Sequence, residues 1–436
     1  MNGTVKVRGG RKLSGTVTPI PNKNAIVAAI PAAILSNETL VFHNVPKSTD
    51  VEKLLEMMKL LGAHIDDSNY DDLKINCANI HSYKVDKDLG EKIRASIMFA
   101  GPLLSRFGVA EIPVPGGCVL GARSISSHID VFKKAGVTVE YLENFVRFTA
   151  PSNTNKDYFI WQTEASVTAT ENLAMYASGV NGRFEIIDAA CEPHVSQVLK
   201  LLSDMGAKVL GIGSNKIIIS GNKSLGKADF TPEPDFVDIS GYIVATAITH
   251  GQIRIKDANK SGSIGGIIQL FEKFNIDLKQ EGDDLIVDGS NDLKIDIENS
   301  GFPLAGKNLP KLYPRPWPGF PVDVIPVMVT LACKLQGQIL ISNWMYETGL
   351  DFSRELNSIG ADILVLDPQR VIVRGPINFK GGELVSPGVI QACKAIFLAS
   401  LCDDVEMTIH GVDILKRRYP DIFETYKSLG ADITLL

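Results

Sequence analysis

One phrase recurs six times along the chain: an amphipathic helix, a Gly-Ala or similar stop, and a short strand of alternating apolar residues. The copies read L-L-E-M-M-K-L-L-G-A-H-I around Gly62, V-F-K-K-A-G-V-T-V around Gly136, and L-K-L-L-S-D-M-G-A-K-V around Gly206. Three more follow: L-F-E-K-F-N-I-D-L around Asn275, R-E-L-N-S-I-G-A-D-I around Gly360 and F-E-T-Y-K-S-L-G-A-D-I around Gly430. In the first copy Leu54, Leu55, Met58, Leu60 and Leu61 fall at helical spacing, and the glycine suits the left-handed residue that ends a helix. In the fifth, Ile363, Val365 and Val371, Val373 flank the turn L-D-P-Q-R, which reads as a hairpin.

Upstream of each copy the sequence predicts a second, more apolar helix, over 24–35, 95–104, 170–179, 240–250, 324–335 and 391–402. A two-helix unit with about four short strands, repeated six times, is an α/β arrangement. A single solenoid competes with two domains of three units. The spacing of about 70 to 85 residues exceeds the roughly 20–50 of common solenoid repeats. A length of 436 residues also exceeds one ordinary core, and the proline-rich T-P-E-P-D at 231–235 marks a joint.

The composition, 45% hydrophobic and 22% charged, is that of a globular protein. A net charge of -6 argues against a nucleic-acid surface, which needs a basic stripe. The longest apolar run, Ala25 to Leu35, is about half of a membrane span and contains Pro31. The N-terminal residues lack the apolar core of a secretory signal, so the expected compartment is the cytoplasm. The six cysteines show no spacing that suggests a disulfide framework or a zinc site, and five of them are expected as small core residues.

Cys118 is the exception. It sits in I-P-V-P-G-G-C-V-L-G-A-R-S-I-S-S-H, a glycine-rich loop where nearby Arg123 can stabilise a thiolate. Lys23 and Asn24 open an apolar helix at its positive end, which makes sense if an anion binds there; a solvated lysine is the plainer alternative. Arg94 opens the corresponding helix of the second unit, and Ser166 with Thr170 that of the third. Asp323, in P-G-F-P-V-D, precedes another apolar helix, where it can cap the helix or take a proton from a sugar hydroxyl. Lys416, Arg417 and Arg418 form either a solvated face or a clamp for phosphate or carboxylate.

The loop P-G-G-C-V-L-G-A-R, the opening K-N-A, V-P-K-S-T-D-V, S-V-T-A-T-E-N and P-G-F-P-V-D together resemble the UDP-N-acetylglucosamine enolpyruvyl transferases (1-carboxyvinyltransferases). In the last hundred residues Y-P-D-I-F-E is similar instead to the sister shikimate-phosphate enzymes. The resemblance implies a two-domain inside-out α/β barrel, with residues 23–230 in one domain and 1–22 with 231–436 in the other, closing over the substrates. It implies transfer of the enolpyruvyl group of phosphoenolpyruvate to the 3-hydroxyl of UDP-N-acetylglucosamine, in cell-wall precursor synthesis, with no cofactor or metal and no nucleic-acid or membrane partner. By matching positions, Cys118 is the general acid or covalent participant and Asp323 the base. Lys23, Arg94 and Arg123 hold phosphate, Asn24 touches the sugar, Ser166 and Val167 meet the diphosphate, and Arg417 holds the phosphoenolpyruvate carboxylate.

The chain departs from the family in three places. Gly349 stands where the fifth unit carries an arginine, and an aspartate–arginine pair is replaced near Gly388 and Gln391. Thr168 stands where the family has glycine. Arg315, Arg354, Lys394 and Arg418 are the cations available to replace those missing. A nucleotide-sugar-binding paralogue without phosphoenolpyruvate chemistry, or a transferase with another acceptor, are the rival readings.

Overall fold

The computed structural model describes residues 3–114, 125–260 and 262–436. The described residues form two compact units, one of residues 3–20 and 234–436, the other of 21–114 and 125–233. The divisions fall at 20/21 and 233/234 rather than 22/23 and 230/231. Asn22 N–H donates to Glu233 O (2.8 Å) and Glu233 N–H to Gln197 Oε1 (2.9 Å), which keeps both flanks with the 21–233 unit.

The six predicted repeats are six small sheets, three in each unit. In the third and fifth repeats the strand after the apolar helix lies beside the last strand of its own hairpin, and a strand from earlier in the repeat pairs parallel on its other side. Thus Asp157–Trp161 pairs parallel with Arg183–Ile187, which pairs antiparallel with Lys216–Ser220, followed by Lys208–Leu210. In the second repeat the parallel strand is reduced to one bridge, Lys84 to Glu111. Alternation along the strands turns Phe184 and Ile186, or Ile339 and Ile341, into the core. Each such burial contributes roughly 1.5–3 kcal/mol.

Three of the repeats borrow a strand from far away in sequence. Thr4–Arg8 inserts between Glu406–His410 and Asp432–Leu435, both antiparallel to it. Ser14–Val17 pairs parallel with Gln252–Ile255, and Asp229–Phe230 with Thr39–His43.

Each repeat holds two helices. The apolar ones, Lys23–Ala32, Ala100–Phe107 and Val167–Ser178 in one unit and Phe236–Ile248, Ile325–Ala332 and Ile390–Ala399 in the other, are almost wholly buried at the centres of their units. The amphipathic ones lie outside, as Thr49–Leu61 does with Leu54, Leu55 and Met58 buried beneath it. All six recurring stop residues have left-handed φ, from 67° at Asn275 to 112° at Gly206. Gly62 closes its helix by donating its N–H to Lys59 O. Five described cysteines are free thiols; burial pushes Cys77 and Cys333 up to about 12 and Cys393 to about 11.

A Cβ at Gly206 would meet nothing nearer than 4.0 Å, whereas at Gly62 it would stand 2.7 Å from the Asn79 carbonyl oxygen. Gly206→Ala is therefore expected to cost only the backbone term, about 1–2 kcal/mol, and Gly62→Ala clearly more. Urea unfolding of the two variants checks the order.

Candidate active site

In the 21–233 unit the sequence-predicted groups stand at the starts of the three central elements, which pack on one another. Lys23 is the first residue of Lys23–Ala32, whose cap is Asn22: its side-chain oxygen accepts from Asn24 N–H (3.0 Å) and Ala25 N–H (3.4 Å). The lysine is buried, and its Nζ lies 2.8 Å from Asp50 Oδ2 in the first turn of Thr49–Leu61. It is thus a member of a buried ion pair rather than a solvated lysine. Asn24 is half-buried beside it.

Arg94 opens the 3-10 turn Arg94–Phe99, and Ser166 caps Val167–Ser178, accepting from Ala169 N–H. Between these two starts lies a group that sequence reasoning missed, His128. Asn172 Oδ1 accepts from Gly101 N–H (2.6 Å), so the Asn172 amide nitrogen faces the other way, donating to Ile97 O (2.8 Å) and to His128 Nδ1 (3.1 Å). His128 Nδ1 is therefore an acceptor, and Nε2–H donates to Thr168 Oγ1 (3.0 Å). The imidazole is neutral. Burial, reinforced by the charge of Arg94, lowers its pKa to about 3. Thr168, the departure from the family glycine, thus has a structural partner. Next to it, burial and the charge of Glu192 raise the Glu171 carboxyl well above its usual range, and Glu171 Oε1 has no hydrogen-bond partner among the described residues. Thr168 and Asn172 both lie within S-V-T-A-T-E-N, but their partners His128, Gly101 and Ile97 come from the second repeat, so no local spacing announces them.

In the other unit the starts of the central helices are again linked. Asp323 lies in the 3-10 turn Val322–Val324 and makes no capping hydrogen bond, which corrects the cap reading. Tyr346 O–H instead donates to its Oδ1 (3.3 Å), and Arg418 Nη1 is 3.6 Å from its Oδ2. A side-chain cap is present on the neighbouring central helix, where Asp235 accepts from Val237 N–H at the start of Phe236–Ile248. Asp235 also receives Arg418 through both Nε and Nη2, each at 2.8 Å.

Lys394, fully buried, lies 2.8 Å from Asp238 Oδ1 and 4.1 Å from the centre of the Tyr419 ring. Burial opposes its charge, but Asp238, Tyr419 and Tyr426 together outweigh that and raise its pKa. Of the four cations available for the missing arginines, Lys394 and Arg418 are thus committed to internal carboxylates, while Arg315 and Arg354 are exposed. Around Gly349 the space of an arginine stem is taken: a Cβ there would stand 2.3 Å from the amide nitrogen of buried Asn343. Near the lost pair, Gln391 meets Tyr419 O–H at 3.3 Å. Arg417 ends the 3-10 turn Val412–Arg417 and is half-buried. Cys118 and Arg123 lie outside the described residues.

The family described as EPSP synthase (3-phosphoshikimate 1-carboxyvinyltransferase) matches residues 7–426. A protein of Treponema denticola named UDP-N-acetylglucosamine 1-carboxyvinyltransferase is 37% identical, over 98% of both chains. One of the same name from Bradyrhizobium diazoefficiens is 36% identical, over 98% of this chain and 96% of that one. The chain belongs to the enolpyruvyl transferase family. Its fold matches that of the enolpyruvyl transferase NikO from Streptomyces tendae, at a TM-score of 0.84 and 22% identity over 100% of this chain and 99% of that one. An EPSP synthase from Acinetobacter baumannii gives 0.75 at 16% identity, with full coverage of both. The chain is therefore an enolpyruvyl (carboxyvinyl) transferase with the two-domain α/β fold that the repeats imply. Among the described residues no cluster of three or more His, Cys, Asp or Glu could hold a metal, and no helix is long and apolar enough to cross a membrane.

Two predictions follow from the His128 cluster of this transferase. Below pH 6.5 an unfolded chain takes up a proton at His128 that the folded chain refuses until about pH 3. Stability from this group is therefore full above 6.5 and lost as the pH falls. Between pH 7 and 5 the wild type is expected to lose about 2 kcal/mol more than His128→Asn in denaturant unfolding. Comparison with the variant cancels Glu171, whose raised pKa acts in the opposite sense. Thr168→Val, which removes the acceptor for Nε2–H, is expected to cost about 1–3 kcal/mol, and Thr168→Ser much less.

Proposed function

We propose that this transferase moves the enolpyruvyl group of phosphoenolpyruvate onto the 3-hydroxyl of UDP-N-acetylglucosamine and releases phosphate, a step of cell-wall precursor synthesis. The observation that carries the reading is Asp323: a carboxylate at a helix start that does not cap the helix, is partly open to solvent, and is steadied by Tyr346. Such a group is fit to accept a proton. The name shared by relatives that match along nearly the whole chain supports the choice of acceptor.

In this reading the acceptor oxygen bonds to C2 of phosphoenolpyruvate as its hydroxyl proton passes to Asp323. A second proton, from Cys118 in the acid role, converts the methylene carbon to methyl. Loss of phosphate from C2, with one methyl proton, restores the double bond in the product. Lys23, Arg94 and Arg123 hold phosphate and Asn24 the sugar. Ser166 and Val167, at the amide-rich start of a twelve-residue helix, face the diphosphate. Arg417 takes the phosphoenolpyruvate carboxylate.

Phosphate release from phosphoenolpyruvate and UDP-N-acetylglucosamine is the direct test. Folded protein that binds the nucleotide sugar but releases no phosphate would overturn the reading. Asp323→Asn is expected to lower kcat by about 10²–10⁴-fold with little change in KM. Arg417→Met is expected to raise the KM for phosphoenolpyruvate by roughly 10- to 150-fold, the equivalent of one charge-assisted contact.

A further inference from the structure

Arg418 is the second of two adjacent arginines. The sequence offers it as a cation to replace those the family has at other positions, and its surroundings indicate a different use. The side chain is 5% exposed, and two of its three nitrogens are spent on Asp235 in a bidentate pair. The third, Nη1, faces the carboxylate of Asp323 at 3.6 Å, within ion-pair range but beyond a hydrogen bond. Asp235 is itself fixed as the cap of Phe236–Ile248, so the guanidinium plane is locked to the start of one central helix while its free edge serves the start of the next.

On the opposite oxygen of Asp323, Tyr346 O–H donates its hydrogen bond. Among the described residues Asp323 therefore has one partner on each oxygen, Tyr346 from its own repeat and Arg418 from the next. The centre of the Tyr419 ring lies 5.9 Å from the guanidinium carbon, adding a cation–π contact to the anchor.

We infer that Arg418 is a positioning residue, which with Tyr346 fixes the orientation of the Asp323 carboxylate, and that it does not bind phosphoenolpyruvate. The inference rests on the reading of Asp323 as the proton acceptor. It also gives the Asp235–Arg418 pair a purpose beyond packing: a guanidinium tied at two nitrogens has no rotational freedom left, so the third presents a fixed charge. A lysine at 418 could meet Asp235 but could not span both carboxylates.

A double-mutant cycle of Arg418→Lys and Asp323→Asn, read by phosphate release, tests this. Arg418→Lys is expected to lower kcat about tenfold, with the KM for phosphoenolpyruvate changed less than threefold. In the Asp323→Asn background the same substitution is expected to lower kcat no further, because its effect passes through that carboxylate. A tenfold or greater rise in KM would make Arg418 a substrate ligand, and independent multiplication of the two kcat losses would make it merely structural; either overturns the inference. Asp235→Asn with Arg418→Gln, which removes the buried charges together, is expected to reproduce the kcat loss if Arg418→Lys does not fold. Urea unfolding of the same four proteins reads the contact without substrate. A coupling below threefold in the unfolding equilibrium overturns the inference even if another acceptor is used, whereas intact coupling without phosphate release sinks only the proposed reaction.

Discussion

Two ion pairs shut away from water, Lys394–Asp238 and Arg418–Asp235, hold together the centre of the unit formed by residues 3–20 and 234–436. Its central helices are otherwise mostly apolar, with Thr330 O–H donating to Ala395 O (2.9 Å) as a further polar link between two of them. Removing one partner of such a pair leaves a buried charge uncompensated, at a cost of about 3–5 kcal/mol. The same two aspartates also secure the chain where it leaves the N-terminal strands: Ile20 N–H donates to the Asp238 carboxylate, and Ile20 O accepts from the main-chain N–H of Asp235. Gly241 lies against the Lys394 side chain, and a methyl group there would occupy the space of its ammonium. Orientation of the helices, entry of the chain and position of Asp323 thus depend on one polar cluster.

Much of the architecture is written in the sequence because its signals are local. A helix that ends in a left-handed residue shows its stop within three or four positions, which is why all six repeats and their paired helices are readable. Strands borrowed across the chain leave no such mark. Thr4–Arg8 carries the alternation of any strand, and nothing in it names Glu406–His410 and Asp432–Leu435 as its neighbours. The same limit governs the site. Lys23 and Asp323 are legible as unusual residues at helix starts, but their partners Asp50, Tyr346 and Arg418 are distant in sequence. The place of Asp323 before an apolar helix suggested a cap, yet among the described residues no side chain caps Ile325–Ala332.

The departures from the family pattern differ in kind. At Thr168 a side chain has been accommodated by a neutral histidine whose tautomer is set by Asn172, so the addition is supported on every polar atom that meets it. At Gly349 the loss of a long cation has been absorbed by packing, with Asn343 filling the space. Lys394 and Arg418 bring new positive charge into the same unit, but it is neutralised internally. Arg417, next to Arg418 in the chain, is half-buried.

The borrowed strands also bear on how the chain is made. Residues 4–17 leave the ribosome before the rest of their unit, yet they complete sheets whose other strands lie at 252–288 and 382–435. Residues 21–233 carry every strand of their own three sheets, the last being Asp229–Phe230. During synthesis one unit can close while the N-terminal strands remain unpaired. The other becomes complete only when Asp432–Leu435 emerges, so the strands of that unit made earliest are among its last to find their places.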